Sequence, residues 1–134
     1  MRQSPGKYRI WLPEGLRSAK TQPEALAMVF EYCAKIKPEV VAMLAKVQKQ
    51  RTKLVAKDWR DLNPDRPDLS EKRTRVFGDY WIYNTRSGDK VLRQMDYACR
   101  LAGLKFMLDI KVERAKFNDP DYVPPPQFDE SSLL

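Results

Sequence analysis

Apolar and polar residues alternate from Lys7 to Leu12, with Tyr8, Ile10 and Leu12 on one side and Pro13 directly after. This pattern predicts a short strand, placed at a sheet edge because of the proline. Thr21-Gln22-Pro23-Glu24 is a capping box with proline in the first turn, and it opens a helix to about Ile36. Ala25, Leu26, Val29, Phe30, Cys33 and Ile36 load that helix with apolar side chains on more than one side. Pro38 breaks it and starts a second helix, expected to reach about Leu62 on the stripe Val40, Leu44, Val47, Leu54, Val55, Trp59, Leu62. Gln48 to Thr52 interrupts this stripe, which leaves room for a short loop.

Two prolines and several turn-forming residues make Asn63 to Ser70 a loop. The segment Arg75 to Asn84, rich in aromatic residues, reads as one strand. From Val91 to Ala102 the apolar positions fit a helix closed by Gly103. Leu104, Phe106, Leu108, Ile110 and Val112 then alternate like a half-buried strand, and the competing possibility is one long helix from Ser87 to Lys116. The expected fold class is α+β: two successive helices, then a two- to three-stranded sheet with a further helix. Residues 1–117 form one basic domain, and residues 118–134 form an acidic, proline-rich tail expected to be extended or disordered.

Charge sharpens this division. The net charge is +7, but residues 118–134 hold four acids and no Lys or Arg, so the body alone carries 25 cations against 14 acids. A body this basic favours a polyanion or an acidic protein as partner. Five cations, Lys46, Lys49, Lys53, Lys57 and Arg60, would fall within an arc of about 80° on the expected second helix. No acidic residue lies between Val40 and Lys57, so the pairing usual on a solvated helix face is missing. Cations three or four residues apart on a helix stand ~5–6 Å apart, a pitch suited to phosphates. Five contacts on duplex DNA would give a salt slope of roughly −4. Predominance of lysine suits contacts that ignore sequence.

Other chemistry is sparser. The chain has no histidine, which removes Ser-His and Cys-His nucleophile pairs and imidazole metal ligands. Cys33 and Cys99, in apolar helical settings, read as reduced core thiols. No run approaches the ~18 apolar residues of a membrane span and no apolar leader opens the chain, so a cytoplasmic or otherwise intracellular protein is expected.

Arg75 to Tyr83 resembles the aromatic strand of an RNA-recognition motif, whose rings stack on bases. The residue inserted after Gly78 shifts the later rings out of phase with Phe77, so a central core strand is the simpler expectation. Asp109-Ile110-Lys111, with Asp79 upstream, resembles the Asp…Asp-x-Lys pattern of restriction-endonuclease-like nucleases. That resemblance implies carboxylates on neighbouring strands holding magnesium, with the lysine steadying the attacking water. Asp61 to Asp65 with Glu71 imitates the start of a calcium loop, but Arg66 occupies the position that needs glycine. Asp129 to Leu134 matches a short acidic dileucine sorting pattern without a membrane segment to carry it.

The expected function is therefore non-catalytic, largely sequence-independent nucleic-acid binding through Lys46, Lys49, Lys53, Lys57 and Arg60, with no cofactor. One alternative is a magnesium-dependent nuclease using Asp79, Asp109 and Lys111. The other is an interaction or inhibitor module docking on an acidic protein.

Overall fold

A computed structural model describes residues 8–66, 68, 74–83, 88–114 and 133–134. Among these the fold is α+β, with three α-helices and short antiparallel strands. Strand β1 (Tyr8–Leu12) pairs with β2 (Gly15–Ala19) on one side and with β8 (Lys111–Arg114) on the other. β1 is thus the middle strand rather than an edge. Pro13 lies just past its last residue, in the turn before Gly15, where no ladder N–H is required. The alternation itself holds, since Ile10 and Leu12 are buried and Tyr8 packs on the core. β2 left no trace in the hydrophobic pattern because four of its five residues are exposed.

Helix α1 (Gln22–Ile36) begins as expected. The Thr21 hydroxyl accepts the Glu24 N–H at 3.3 Å, and the Glu24 carboxylate accepts the Lys20 N–H at 3.1 Å. It buries Ala25, Leu26, Ala27, Val29, Phe30, Tyr32 and Cys33, and it packs against the β1–β2 hairpin, the other helices and the strand Thr74–Val76.

Helix α2 (Glu39–Ala45) stops far short of Leu62. Gln48–Lys49 (β3) and Thr52–Lys53 (β4) form a small hairpin around Gln50-Arg51, with Gln50 at φ 54°. Nothing apolar between Gln48 and Thr52 rewards another helical turn, so the chain reverses. The reversal sets Val47 against Leu54, whose N–H donates to the Val47 carbonyl at 3.1 Å. Val40, Leu44, Val47, Leu54, Val55 and Leu62 are all buried, as one helix would also have buried them.

β5 (Val55–Ala56) then leads into a 3-10 turn at Trp59–Asp61, capped by the Asp58 carboxylate, which accepts the Arg60 N–H at 3.0 Å. The single aromatic strand expected at Arg75–Asn84 is a hairpin instead. β6 (Thr74–Val76) and β7 (Tyr80–Ile82) are joined by Phe77-Gly78-Asp79, with positive φ at Phe77 and Gly78. The residue that broke the strand phase is part of this turn. β7 sits centrally, in the order β5-β7-β6.

Helix α3 (Gly88–Leu101) ends as the pattern implied. Gly103 has φ 78°, its N–H reaches the Arg100 carbonyl, and the Leu104 N–H reaches Cys99 at 2.8 Å. The long helix to Lys116 does not form, and neither does an unbroken strand from Leu104. The chain turns at Met107-Leu108-Asp109, bridging Phe106 to Ile110, and only Lys111 onward is strand. Phe106, Ile110 and Val112 are buried while Leu108 is 74% exposed, so the alternation came from a reversal within the segment. The expectation for the tail lies outside the described residues, apart from the last two. Leu133 is fully buried and Leu134 nearly so, and both belong to the hydrophobic core.

Candidate nucleic-acid interface

The five predicted cations do not share a helix face. Lys46 is exposed at the C-cap of α2, beside carbonyls that favour a cation. Directly opposed residues of a hairpin point to the same side, so Lys49 goes with Thr52 and Lys53 with Gln48, on opposite sides. Lys49 is exposed, and its Nζ donates to the Leu134 main-chain oxygen at 3.4 Å. Lys53 is half-buried, and its N–H donates to the Leu62 carbonyl at 2.8 Å. Lys57 is exposed, with Nζ 5.7 Å from the centre of the Tyr80 ring.

Arg60 is exposed but matched. Its Nε and Nη2 each reach a different oxygen of Asp58 at 3.1 Å, and these hydrogen bonds hold the Asp58 carboxyl below its ordinary range. Arg51 is likewise paired with Asp65 at 2.9 Å, and Arg66 with Asp68 at 3.0 Å. The missing Glu-to-Lys pairs are thus partly replaced by Arg–Asp pairs that a helical register does not reveal. Lys46, Lys49 and Lys57 show no salt bridge to a described carboxylate.

The β5-β7-β6 sheet adds groups outside the cation stripe, from the aromatic segment that resembles a base-stacking strand. Arg75 and Trp81 are direct cross-strand partners, and the Arg75 guanidinium lies 4.8 Å from the centre of the half-buried Trp81 ring. Ala56 opposes Trp81 on the other side, placing Arg75, Trp81 and Ala56 on one face. The 3-10 turn bearing Arg60 packs against β7. Tyr80 projects to the opposite face, with Phe77 edge-on to it at 6.0 Å and Lys57 over it. Arg75…Trp81 is a visible pair only once Phe77-Gly78-Asp79 is known to be a turn.

The nuclease arrangement is not assembled as its resemblance requires. Asp79 sits in the β6–β7 turn and Asp109 in the turn before β8, which belong to different sheets rather than neighbouring strands. Asp109 accepts the Lys105 N–H at 2.7 Å, and the Lys111 Nζ lies 5.8 Å from the centre of the Trp11 ring. Among the described residues, no three Cys, Asp or Glu side chains gather where a metal ion could be held. No described helix is long and apolar enough to cross a membrane.

A cavity of about 350 Å³ lies between the β1–β2 hairpin and α1, lined by Leu12, Glu14, Arg17, Met28, Tyr32 and Lys35 among others. In it Glu14 holds Lys35 at 3.0 Å and Arg17 at 3.7 Å, while Glu31 accepts the Phe77 N–H at 3.4 Å.

The cysteines are free and buried, as expected for core thiols. A hydrogen bond with Cys33, together with burial, raises the Cys99 pKa far above the ordinary thiol value. A raised thiol pKa favours folding below the unfolded value and loses that contribution as pH rises beyond it. Above pH ~8.5, parent stability should therefore fall by up to ~1.4 kcal/mol per pH unit from this group. Urea titrations between pH 8 and 10 should show a shallower decline for Cys99→Ala; equal slopes would contradict the assignment.

No protein-family model matches the chain, and neither a curated protein nor a solved structure matches it.

Proposed function

We propose that this chain is a non-catalytic nucleic-acid-binding protein that grips phosphates largely without regard to sequence and favours single strands. The supporting observation is the Arg75–Trp81 pair on the outward face of the β5-β7-β6 sheet. A cation stacked on a half-buried ring sets an aromatic surface beside a charge, the two groups that a base and its phosphate call for. Lys46, Lys49 and Lys57 supply the remaining phosphate contacts, from a body with 25 Lys and Arg against 14 acids. Lys53 and Arg60, equal members of the sequence-predicted stripe, are secondary because one is half-buried and the other is matched by Asp58.

Anisotropy titrations with single- and double-stranded oligonucleotides between ~50 and ~200 mM salt test this. Four contacts on a single strand give a slope of roughly −3, and three, while Leu134 holds Lys49, roughly −2. Trp81→Ala should weaken single-strand binding by about 5- to 150-fold, the worth of one base stack, and duplex binding much less. Absence of salt-dependent binding at ~50 mM would reject the proposal and favour an acidic protein as the partner of the basic surface.

A further inference from the structure

Gln94 and Asp96 are the buried polar side chains among the described residues. Asp96 meets Arg100 within the same helix, Nε to Oδ1 at 3.0 Å. Gln94 is fully buried and spends its amide on a distant piece of chain: Nε2 donates to the Leu133 carbonyl at 2.6 Å. Its Oε1, equally buried, has no hydrogen-bond partner. The next main-chain oxygen, that of Leu134, accepts from Lys49 Nζ at 3.4 Å. Two successive main-chain oxygens are therefore each contacted by a side chain, one from α3 and one from the β3–β4 hairpin, while both leucine side chains enter the core.

This is how a receptor holds a peptide. Apolar space takes the side chains, and polar side chains take the main-chain groups. A carboxamide offers a donor and an acceptor together, able to meet a main-chain carbonyl and a main-chain N–H of a docked segment. The present occupant uses the donor and leaves the acceptor unmatched, a cost that an occupant presenting an N–H would remove. Lys49 links the site to the proposed phosphate-binding surface, since its ammonium is engaged whenever Leu134 is docked.

We propose that α3 and the β3–β4 hairpin form a site for a Leu-Leu peptide segment, that Leu133-Leu134 is its exchangeable occupant, and that this occupant competes with a polyanion for Lys49. The last clause rests on the nucleic-acid reading, and the first two stand without it.

The test compares the full chain with its Leu133→Asn/Leu134→Asn variant, which leaves charge unchanged. The probes are a labelled peptide of residues 123–134 and a single-stranded oligonucleotide. The emptied variant should bind the peptide saturably. The parent should bind it at least ~10-fold more weakly, because its own tethered segment competes at millimolar effective concentration. A peptide with both leucines changed to asparagine should bind neither. With the oligonucleotide, the variant's salt slope should steepen by about 0.7, one phosphate contact.

A folded variant that takes up no peptide overturns the site. If the double variant does not fold, Leu134→Ala replaces it; if that chain also unfolds, the leucines are fixed core and the site is again overturned. An unchanged slope in a parent and variant that both bind DNA overturns the competition for Lys49. A parent that binds no oligonucleotide rejects the nucleic-acid reading, and the peptide titration then decides the site alone.

Discussion

Lys46→Glu/Lys49→Glu/Lys57→Glu should lower single-strand affinity at least about a hundredfold at ~150 mM salt and flatten the salt slope by roughly 1.4 with Lys49 held by Leu134, or roughly 2 with it released. Each substitution removes a phosphate contact and adds a repulsive charge on an exposed position without a salt bridge to a described carboxylate. The informative comparison is Arg51→Gln/Arg60→Gln. Those guanidiniums already face Asp65 and Asp58, so removing them unmasks a carboxylate but gives up little available positive charge. The double variant should shift affinity no more than about threefold, within the small worth of exposed pairs. A continuous helical stripe would instead make Arg60 and Lys53 as important as Lys49. The ranking of variants therefore separates the folded surface from the helical wheel.

That separation shows how far the pattern along the chain can be read. Where a local signal had one physical solution, it was legible. Thr21 and Glu24 capped α1, and Gly103 closed α3 in a left-handed conformation that other residues reach only at a cost. Between Val40 and Leu62 two solutions bury the same side chains. A helix places Val47 and Leu54 on one stripe seven residues apart, and a hairpin places them side by side. Periodicity cannot choose between these, because it records which residues are buried and not the path that buries them. The polar run Gln48–Thr52 was the one local hint, and in the structure it contains the turn.

The same ambiguity governed the aromatic segment and the stretch after Gly103. A three-residue turn keeps apolar residues alternating on paper while reversing the chain, as Phe106 and Ile110 show around the exposed Leu108. The candidate site suffered most, since a cation's availability depends on long-range partners. Arg60 and Lys53 lost standing to Asp58 and to burial, whereas Arg75 gained it from a ring six residues along the chain. The buried Leu133-Leu134 was least legible, because its polar contacts lie 39 and 85 residues away at Gln94 and Lys49.

Phe30→Ala should destabilise the fold by about 3–5 kcal/mol, seen as a lower urea midpoint at unchanged m. Phe30 is fully buried on α1, the helix that touches α2, α3, the β1–β2 hairpin and β6. No other described helix contacts as many elements, so a cavity there is bounded by parts that cannot all relax toward it. Against a total of about 5–15 kcal/mol for a domain, the loss is large. Met28 on the same helix is the control: it is only half-buried and lines the open cavity with Leu12 and Tyr32, so Met28→Ala should cost under about 2 kcal/mol. Comparable losses at the two positions would mean that α1 is not the central packing element, and the sheets would then have to hold together without it.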